Sequence, residues 1–425
     1  KTQEVEILTL EDCLRIGIDN NLSLEGKRKE IQKSKYGVSE NRSKLLPQIN
    51  AIAGYNNNFD PPVSVTDGSS YGVPYNITKT LQHSANAGLE MQMPLFNQTL
   101  YTSMSIAKVM EEISRLSYGK AREDVILQIS KMYYLGQVTA EQIMLIKANI
   151  TRLEELRDIT QAFFDNGMSM EVDLKRVNIN LENLKVQYDN AQAMMKQQLN
   201  MLKYIMDYPA EKEIALTPVN TDSITTVALT GLSENIYELQ LSQSQVQLAE
   251  RQKKIITNGY IPSLSLTGSW RYAAYTDKGY HWFHSGPSNQ WFRSYGVGLT
   301  LRIPIFDGLD KTYKIKKAMI DIENKRLAWE DARKNLQTQY LNAVNDLMNN
   351  QRNFKKQKDN YLLAEDVYAV TSDRYREGIA SMTEVLQDEM QMSEAQNNYI
   401  SAHYNYRVTN LMLLKLTGQI ESLVK

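Results

Sequence analysis

The chain of 425 residues has a single cysteine, Cys13, and four histidines. One thiol excludes an intramolecular disulfide framework and any cysteine-rich metal site. The residues before it, Leu10-Glu11-Asp12, are not small and apolar, so Cys13 reads as a packed residue near a helix start rather than a lipid-attachment site. No run of 18 or more apolar residues occurs, which excludes a membrane-spanning helix. The opening Lys1-Thr2-Gln3 lacks the charged, apolar and small-residue pattern of a secretory leader and reads as the start of a processed chain. Net charge is −1 with both signs spread throughout, so there is no basic stripe for nucleic acid to follow. A Gly-rich phosphate loop, a GxSxG elbow and an HExxH pair are all missing, so neither an enzyme nor a cofactor is expected. His281-Trp282-Phe283-His284 offers two imidazoles with no third ligand placed by spacing, and reads as an exposed aromatic loop.

What is present is a duplication. Gly88-Leu89-Glu90-Met91-Gln92-Met93-Pro94-Leu95-Phe96-Asn97 is repeated as Gly298-Leu299-Thr300-Leu301-Arg302-Ile303-Pro304-Ile305-Phe306-Asp307. Leu46-Pro47-Gln48-Ile49-Asn50 answers to Ile261-Pro262-Ser263-Leu264-Ser265, and Asn166-Gly167-Met168 to Glu377-Gly378-Ile379. The repeats span roughly 1–215 and 225–425. Two copies are too few for a solenoid, which needs three or more units to bury a core. No Pro/Gly/Ser-rich linker divides the chain, so the duplication reads as one pseudo-symmetric protomer.

Four segments alternate with period two. In 84–95, Ala85, Ala87, Leu89, Met91, Met93 and Leu95 share one face, opposite Ser84, Asn86, Gly88, Glu90 and Gln92. In 262–272, Leu264, Leu266, Trp270 and Tyr272 oppose Ser263, Ser265, Thr267, Ser269 and Arg271. Residues 291–303 set Trp291, Tyr295, Val297, Leu299, Leu301 and Ile303 against Ser294, Gly296, Gly298, Thr300 and Arg302. Segment 48–56 is a weaker version. This pattern admits a soluble sandwich with one wet face or an outer-membrane barrel with a polar lumen. Aromatics near the strand ends, Tyr55, Trp270, Tyr272, Trp291 and Tyr295, and charges on the polar face, favour the barrel. Four strands cannot close a barrel, because unpaired edges in hydrocarbon cost several kcal/mol per group. Three copies would bring about 12 strands.

Residues 99–166 and 309–377 have helical periodicity and no proline. At 1.5 Å per residue each predicts a rod of about 100 Å, which must pack against others. Ile146, Ile150, Leu153, Leu156, Ile159 and Phe163 form one seam, and Leu336, Tyr340, Ala343, Leu347 and Phe354 another. After the glycine turns, 168–207 and 379–417 return as helices, and 9–44 and 231–259 are also helical.

Taken together, the chain resembles the TolC-like outer-membrane efflux protein family over nearly its whole length. The resemblance rests on Leu8-Thr9-Leu10-Glu11-Asp12-Cys13-Leu14, the strand starts at Pro47 and Pro262, the strand ends Met93-Pro94-Leu95-Phe96 and Ile303-Pro304-Ile305-Phe306-Asp307-Gly308, and the turns Gly167–Asp173 and Gly378–Leu386. It implies a mainly α protein with a membrane β-barrel: a homotrimer whose four strands per protomer, within 46–97 and 260–306, build a 12-stranded barrel in the outer membrane lipid of a Gram-negative bacterium. Connections 59–83 and 276–290 would be extracellular loops. Helices 9–44, 99–207, 231–259 and 309–417 would form a periplasmic α-barrel, with 208–230 and 418–425 as equatorial segments. A periplasmic adaptor and, through it, an RND or ABC inner-membrane pump are the implied partners, and the energy source lies in the pump.

The resemblance also nominates residues. Acidic positions at the tip constriction correspond to Glu384 and Gln387, with Asp388 one residue further, so the second acid is displaced. A latch between a tyrosine and an aspartate maps to Tyr375 and Asp173, while an accompanying arginine is replaced by Ala380. Adaptor docking maps to Gly167, Met168, Ser169, Gly378, Ile379 and Ser381, and the lumen face to Glu90, Gln92, Arg271 and Arg302. A different class of protein remains open at this stage: a periplasmic coiled-coil scaffold whose strands form a soluble sandwich and bury the greasy face.

Overall fold

The computed structural model describes residues 5–219, 231–277 and 291–424. In chain order the elements are β1 (Glu6–Leu8), α1 (Leu10–Asn20), α2 (Leu22–Ser43), β2 (Gln48–Asn57), β3 (Val63–Asp67), β4 (Tyr75–Lys79), β5 (His83–Phe96), α3 (Gln98–Asp165), α4 (Glu171–Met206), β6 (Ile214–Leu216), α5 (Tyr237–Asn258), β7 (Ser263–Thr276), β8 (Trp291–Arg302), α6 (Asp310–Arg376) and α7 (Met382–Leu416). They form two compact units, one from residues 1–31, 113–243 and 326–425, the other from 32–112 and 244–325.

The second unit holds a four-stranded antiparallel sheet in the order β2-β5-β7-β8. Its register preserves the predicted faces. Ala51, Leu89, Trp270 and Tyr295 lie in one row, and Ile49, Met91, Gly268 and Val297 in the next. The alternate rows hold Asn50, Glu90, Ser269 and Gly296, then Gln48, Gln92, Thr267 and Gly298. A slip of one residue would exchange the two faces, so the continuous register is what makes one side greasy and the other wet. The greasy side is open in the protomer: Val297 is 79 % exposed, Tyr295 76 % and Leu299 66 %. A sandwich would bury these side chains within the chain; among the described residues nothing covers them, which counts against the soluble-scaffold alternative.

Three segments carry structure beyond what was expected of them. Connection 59–83 carries β3 and β4, paired from Val63↔Lys79 to Asp67↔Tyr75, with a 3-10 turn at Ser69–Tyr71 between them. Its Thr, Val, Ile and Tyr content and Asp67-Gly68 suit a hairpin, but residues 68–74 separate the strands, longer than the two-residue turn that marks a tight hairpin in sequence. Segment 9–44 is not one helix. Asn21 leaves helical geometry at ψ 119°, accepts the Leu24 amide through Oδ1 at 3.1 Å and donates to the Ile205 carbonyl at 2.7 Å, so it ends α1 and caps α2. Within 208–230, β6 pairs in parallel with β1. Most of connection 276–290, with His281 and His284, lies outside the described residues, as do residues 220–230.

The first unit is helical, and the predicted seams are its cores. Leu153 and Leu156 of α3 pack with Val177, Leu181 and Leu184 of α4 and with Val385 and Met392 of α7, and Ile150, Ile159 and Phe163 border them. Leu336, Ala343 and Leu347 of α6 pack with Leu413 and Leu416 of α7. Two polar pairs cross these seams. Asn149 and Gln396 exchange amide hydrogen bonds at 2.7 and 3.4 Å, and Arg152 donates to Glu365 at 2.6 Å. The buried Asn149–Gln396 pair and the half-buried Arg152–Glu365 pair penalise any other register, because a slip leaves each donor unpaired.

At the other end of this unit, Thr9 and Asp12 form a reciprocal capping box that starts α1. Cys13 and Leu14 are fully buried among Ile126, Ile129, Leu202 and Met206. Cys13 is thus a core residue, and burial pushes its thiol up to about 12. Gly17 lies against Ile129: a Cβ here would stand 2.2 Å from Ile129 Cδ1, a side chain with no exposure of its own. Gly17→Ala is expected to destabilise by about 1–3 kcal/mol. Combined with Ile129→Val, which removes the crowded methyl, the two costs should be less than additive in thermal unfolding of the detergent-solubilised protein. Strict additivity would show that Gly17 is not needed for this approach.

Candidate functional site

Both long hairpins turn by the same device. Gly167 and Gly378 sit at φ +72° and +75°, a region costly for residues with a Cβ. Gly167 and Met168 donate to Phe164 and Phe163, and Gly378 and Ile379 donate to Tyr375 and Arg374, all at 2.8–2.9 Å. This paired pattern satisfies the last carbonyls of α3 and α6.

The helices that restart differ. Met170 caps α4 with no side-chain hydrogen bond, whereas Ser381 begins α7 with a capping box. Ser381 Oγ and N–H both donate to Glu384 Oε2, at 2.9 and 2.7 Å, and the Glu384 amide donates back to Ser381 Oγ at 3.3 Å. The backbone and hydroxyl hydrogen bonds from Ser381 hold the Glu384 carboxyl below its usual range. Within the protomer, this carboxylate is therefore committed to its own helix terminus. The motif Ser381-Met382-Thr383-Glu384 signals such a box in sequence.

Between the two turns is a groove of ≈ 770 Å³. Of the nominated residues, Gly167, Met168, Ser169, Asp173, Tyr375, Gly378 and Ser381 line it. Ile379 is exposed beside it, and Glu384, Gln387 and Asp388 lie along α7 outside the lining. Tyr375 and Asp173 share the groove without bonding to each other. The Tyr375 hydroxyl donates to Thr160 Oγ1 at 3.2 Å while its ring rests on Phe163 at 5.6 Å, which draws the side chain into the core. Asp173 instead accepts from Arg176 at 3.3 Å, and Arg176 also donates to Thr383 Oγ1 at 3.3 Å. Tyr375 thus reaches the first hairpin through Thr160 and Asp173 reaches the second through Arg176 and Thr383, a correction to the direct Tyr375–Asp173 pairing. Arg176 was missed; its i, i+3 spacing from Asp173 was the available signal.

On the sheet's polar face, Glu90, Gln92 and Arg271 line a concavity of ≈ 500 Å³ with Asn50, Thr267 and Ser269. Glu90 and Arg271 form an ion pair across β5 and β7. Arg302 lies on the same face but at the end of β8, opposite Ser263, and is not part of the concavity. Among the described residues, no group of histidine, cysteine or acidic side chains is arranged to hold a metal ion.

A further feature was not legible as a site. α6 exposes Tyr313, Ile320, Leu327, Leu341, Met348 and Leu362, all spaced by seven or fourteen residues, and α4 exposes Val172, Ile179 and Val186 at seven. A seven-residue repeat is the spacing of a helix seam. Among the described residues, nothing in the protomer covers these seams.

The Ser381 cap yields a pH-dependent expectation. The Glu384 carboxyl is lowered on folding, so its contribution is complete above the ordinary glutamate range near 4.5 and is lost as pH falls through the lowered value. Ser381→Ala should cost about 1 kcal/mol at neutral pH and accelerate amide exchange at the start of α7. The difference from wild type should shrink on acidification; a pH-independent difference would show that the carboxylate does not take part.

The model of the family described as outer membrane efflux protein matches residues 16–206 and 228–419. The chain is 21% identical over 399 residues to the outer membrane protein TolC of Vibrio cholerae, covering 90% of this chain and 84% of that protein. It is 23% identical over 379 residues to the probable efflux pump outer membrane protein TtgC of Pseudomonas putida, covering 84% and 75%. Among solved structures, CusC superposes with a TM-score of 0.80 at 15% identity, over 96% of this chain and 91% of that one. The open state of the MtrE outer membrane channel of Neisseria gonorrhoeae gives 0.75 at 18%, over 96% and 88%. These likenesses to solved structures establish the fold.

Proposed function

Because this chain belongs to the outer membrane efflux protein family, whose place is the Gram-negative outer membrane, we propose that it is the passive exit duct of a tripartite efflux or type I secretion system. Three copies close a barrel of about 12 strands and continue it as a helical tunnel. A periplasmic adaptor engages the tip and an RND or ABC pump supplies the energy, so the duct itself carries no catalytic residues.

The observation that carries this reading is the sheet with one open apolar face and one polar face. Lipid suits the first and water the second. The outer strands β2 and β8 supply free edges that another copy can pair, because unpaired backbone groups in hydrocarbon are costly. The seven-residue stripe on α4 and, on α6, Leu327, Leu341, Met348 and Leu362 supply helical surfaces for the same head-to-tail assembly. A head-to-tail interface of this kind closes into a ring.

At the tip, exposed Met168 and Ile379 flank the two glycine turns and suit docking of an adaptor helical hairpin, with Gly167, Ser169, Gly378 and Ser381 allowing close approach. Asp173, Arg176 and Thr383 hold the hairpins together, and Tyr375 stiffens α6 beside them. Glu384, Gln387 and Asp388 project along α7, where three-fold symmetry gathers carboxylates around the constriction.

Two measurements test the proposal. Light scattering of the detergent-solubilised protein should give the protein mass of a trimer that aggregates when detergent is removed, and Leu327→Asp should shift it toward monomer. A soluble monomer in plain buffer would reject the channel. In planar bilayers, Asp173→Ala should free Arg176 and raise the resting conductance; an unchanged conductance would remove Asp173 from the gate.

A further inference from the structure

The two repeats differ where the strands pass into helices. Aligning Phe96-Asn97 with Phe306-Asp307 places Tyr101, Met104, Ile106 and Ala107 opposite Lys311, Lys314, Lys316 and Lys317. The first repeat builds this junction with no lysine at these positions, so the fold does not require them. Their placement is also unfavourable to the helix: they lie in the first two turns of α6, where the helix dipole disfavours cations. Asp307 and Asp310 offset part of this, pairing with Lys311 at 3.0 Å and Lys314 at 2.6 Å. Lys316 and Lys317 are exposed, and among the described residues no carboxylate lies within ion-pairing distance of either; Lys316 Nζ stands 5.6 Å from the Tyr313 ring.

The last turns of α5 run beside this start. The Tyr260 hydroxyl meets Thr312 Oγ1 at 3.3 Å and Lys311 Nζ stands 5.1 Å from the Tyr260 ring. α5 brings Arg251, Lys253 and Lys254, so segments 250–260 and 305–320 together hold seven basic and three acidic residues. In sequence, directly between the greasy strand β8 and the lysines, come Ile305, Phe306 and Leu309, exposed by 94 %, 82 % and 50 %. The order along the chain is therefore greasy strand, exposed apolar and aromatic residues, then cations.

We propose that this junction is a binding surface for anionic glycerophospholipid headgroups in the periplasmic leaflet of the outer membrane, with Lys314, Lys316 and Lys317 taking the phosphates and Tyr260 and Tyr313 seated at the interface. The proposal rests on the barrel reading above, which places this end of the strands at that leaflet. Tyrosines lie at the headgroup level of a bilayer, and clustered lysines just outside it attract anionic lipid. A lipid phosphate also accounts for cations that the helix terminus itself disfavours. Because only the second repeat carries lysines at these four positions, a trimer would have three such surfaces alternating with three that lack them.

The test uses the full protein in nanodiscs of equal phosphatidylglycerol and phosphatidylethanolamine, with the lipid retained after brief detergent extraction measured by mass spectrometry. Wild type should retain phosphatidylglycerol preferentially at low salt. The triple variant Lys314→Gln/Lys316→Gln/Lys317→Gln should insert equally well yet lose that enrichment by about tenfold, and the triple arginine variant should keep it. Equal insertion with undiminished enrichment in the glutamine variant overturns the proposal. So does equal retention of the two lipids by wild type, which would leave the lysines to an acidic protein partner. Failure of the wild type to enter nanodiscs would reject the membrane barrel, and this surface with it.

Discussion

An antiparallel sheet offers its backbone hydrogen bonds only sideways and its side chains only up and down, and these two directions set the conditions for the rest of this protein. The register running through β2, β5, β7 and β8 gathers apolar side chains on one face and polar ones on the other. A single chain covers neither the apolar face nor the two outer edges. Water is a poor solvent for the face and hydrocarbon a poor one for the edges. The closed multi-chain barrel proposed above would meet both demands, with lipid over the face and the next protomer at the edge.

The helices continue the same division between what is satisfied inside the protomer and what is left for another copy. Their inner seams are dry and aliphatic, with Leu153, Leu156, Val385 and Met392 among the packed residues. Two polar pairs, Asn149 with Gln396 and Arg152 with Glu365, are set into these seams at a cost in desolvation. A rod packed only by aliphatic residues could slide by one turn for a modest loss, whereas a displaced amide or ion pair loses its partner entirely. The outer stripes on α4 and α6 repeat the seam spacing without an internal partner.

The tip combines rigidity with a small number of breakable contacts. Both turns close with the same pair of backbone bonds around a positive-φ glycine. The contacts between hairpins are fewer and more polar: Arg176 to Asp173 and Thr383 at 3.3 Å, and Arg376 to Glu155 at 3.5 Å. Such exposed pairs contribute little each, about 1 kcal/mol or less. The aromatic pair Phe163–Tyr375 stays in the core beneath them.

Much of this architecture was legible in the residues themselves. Period-two alternation, period-seven seams and the positions of Gly167 and Gly378 are local properties, set by side-chain direction along a strand, by helix geometry and by the cost of positive φ. The duplication placed each element in order, and Ser381–Glu384 is a local motif that could have been read as a cap. The partner of Tyr375 could not be read in this way. Its choice of Thr160 over Asp173 depends on how deeply α6 sinks against α3, a distance set by the packing of Phe163 and its neighbours. The exchange between Asn149 and Gln396, 247 residues apart, is of the same kind. Sequence determined the elements, their faces and their order, because those depend on neighbours along the chain. Tertiary structure decided which polar groups meet, because hydrogen bonds form only within about 3 Å and packing alone brings distant residues that close.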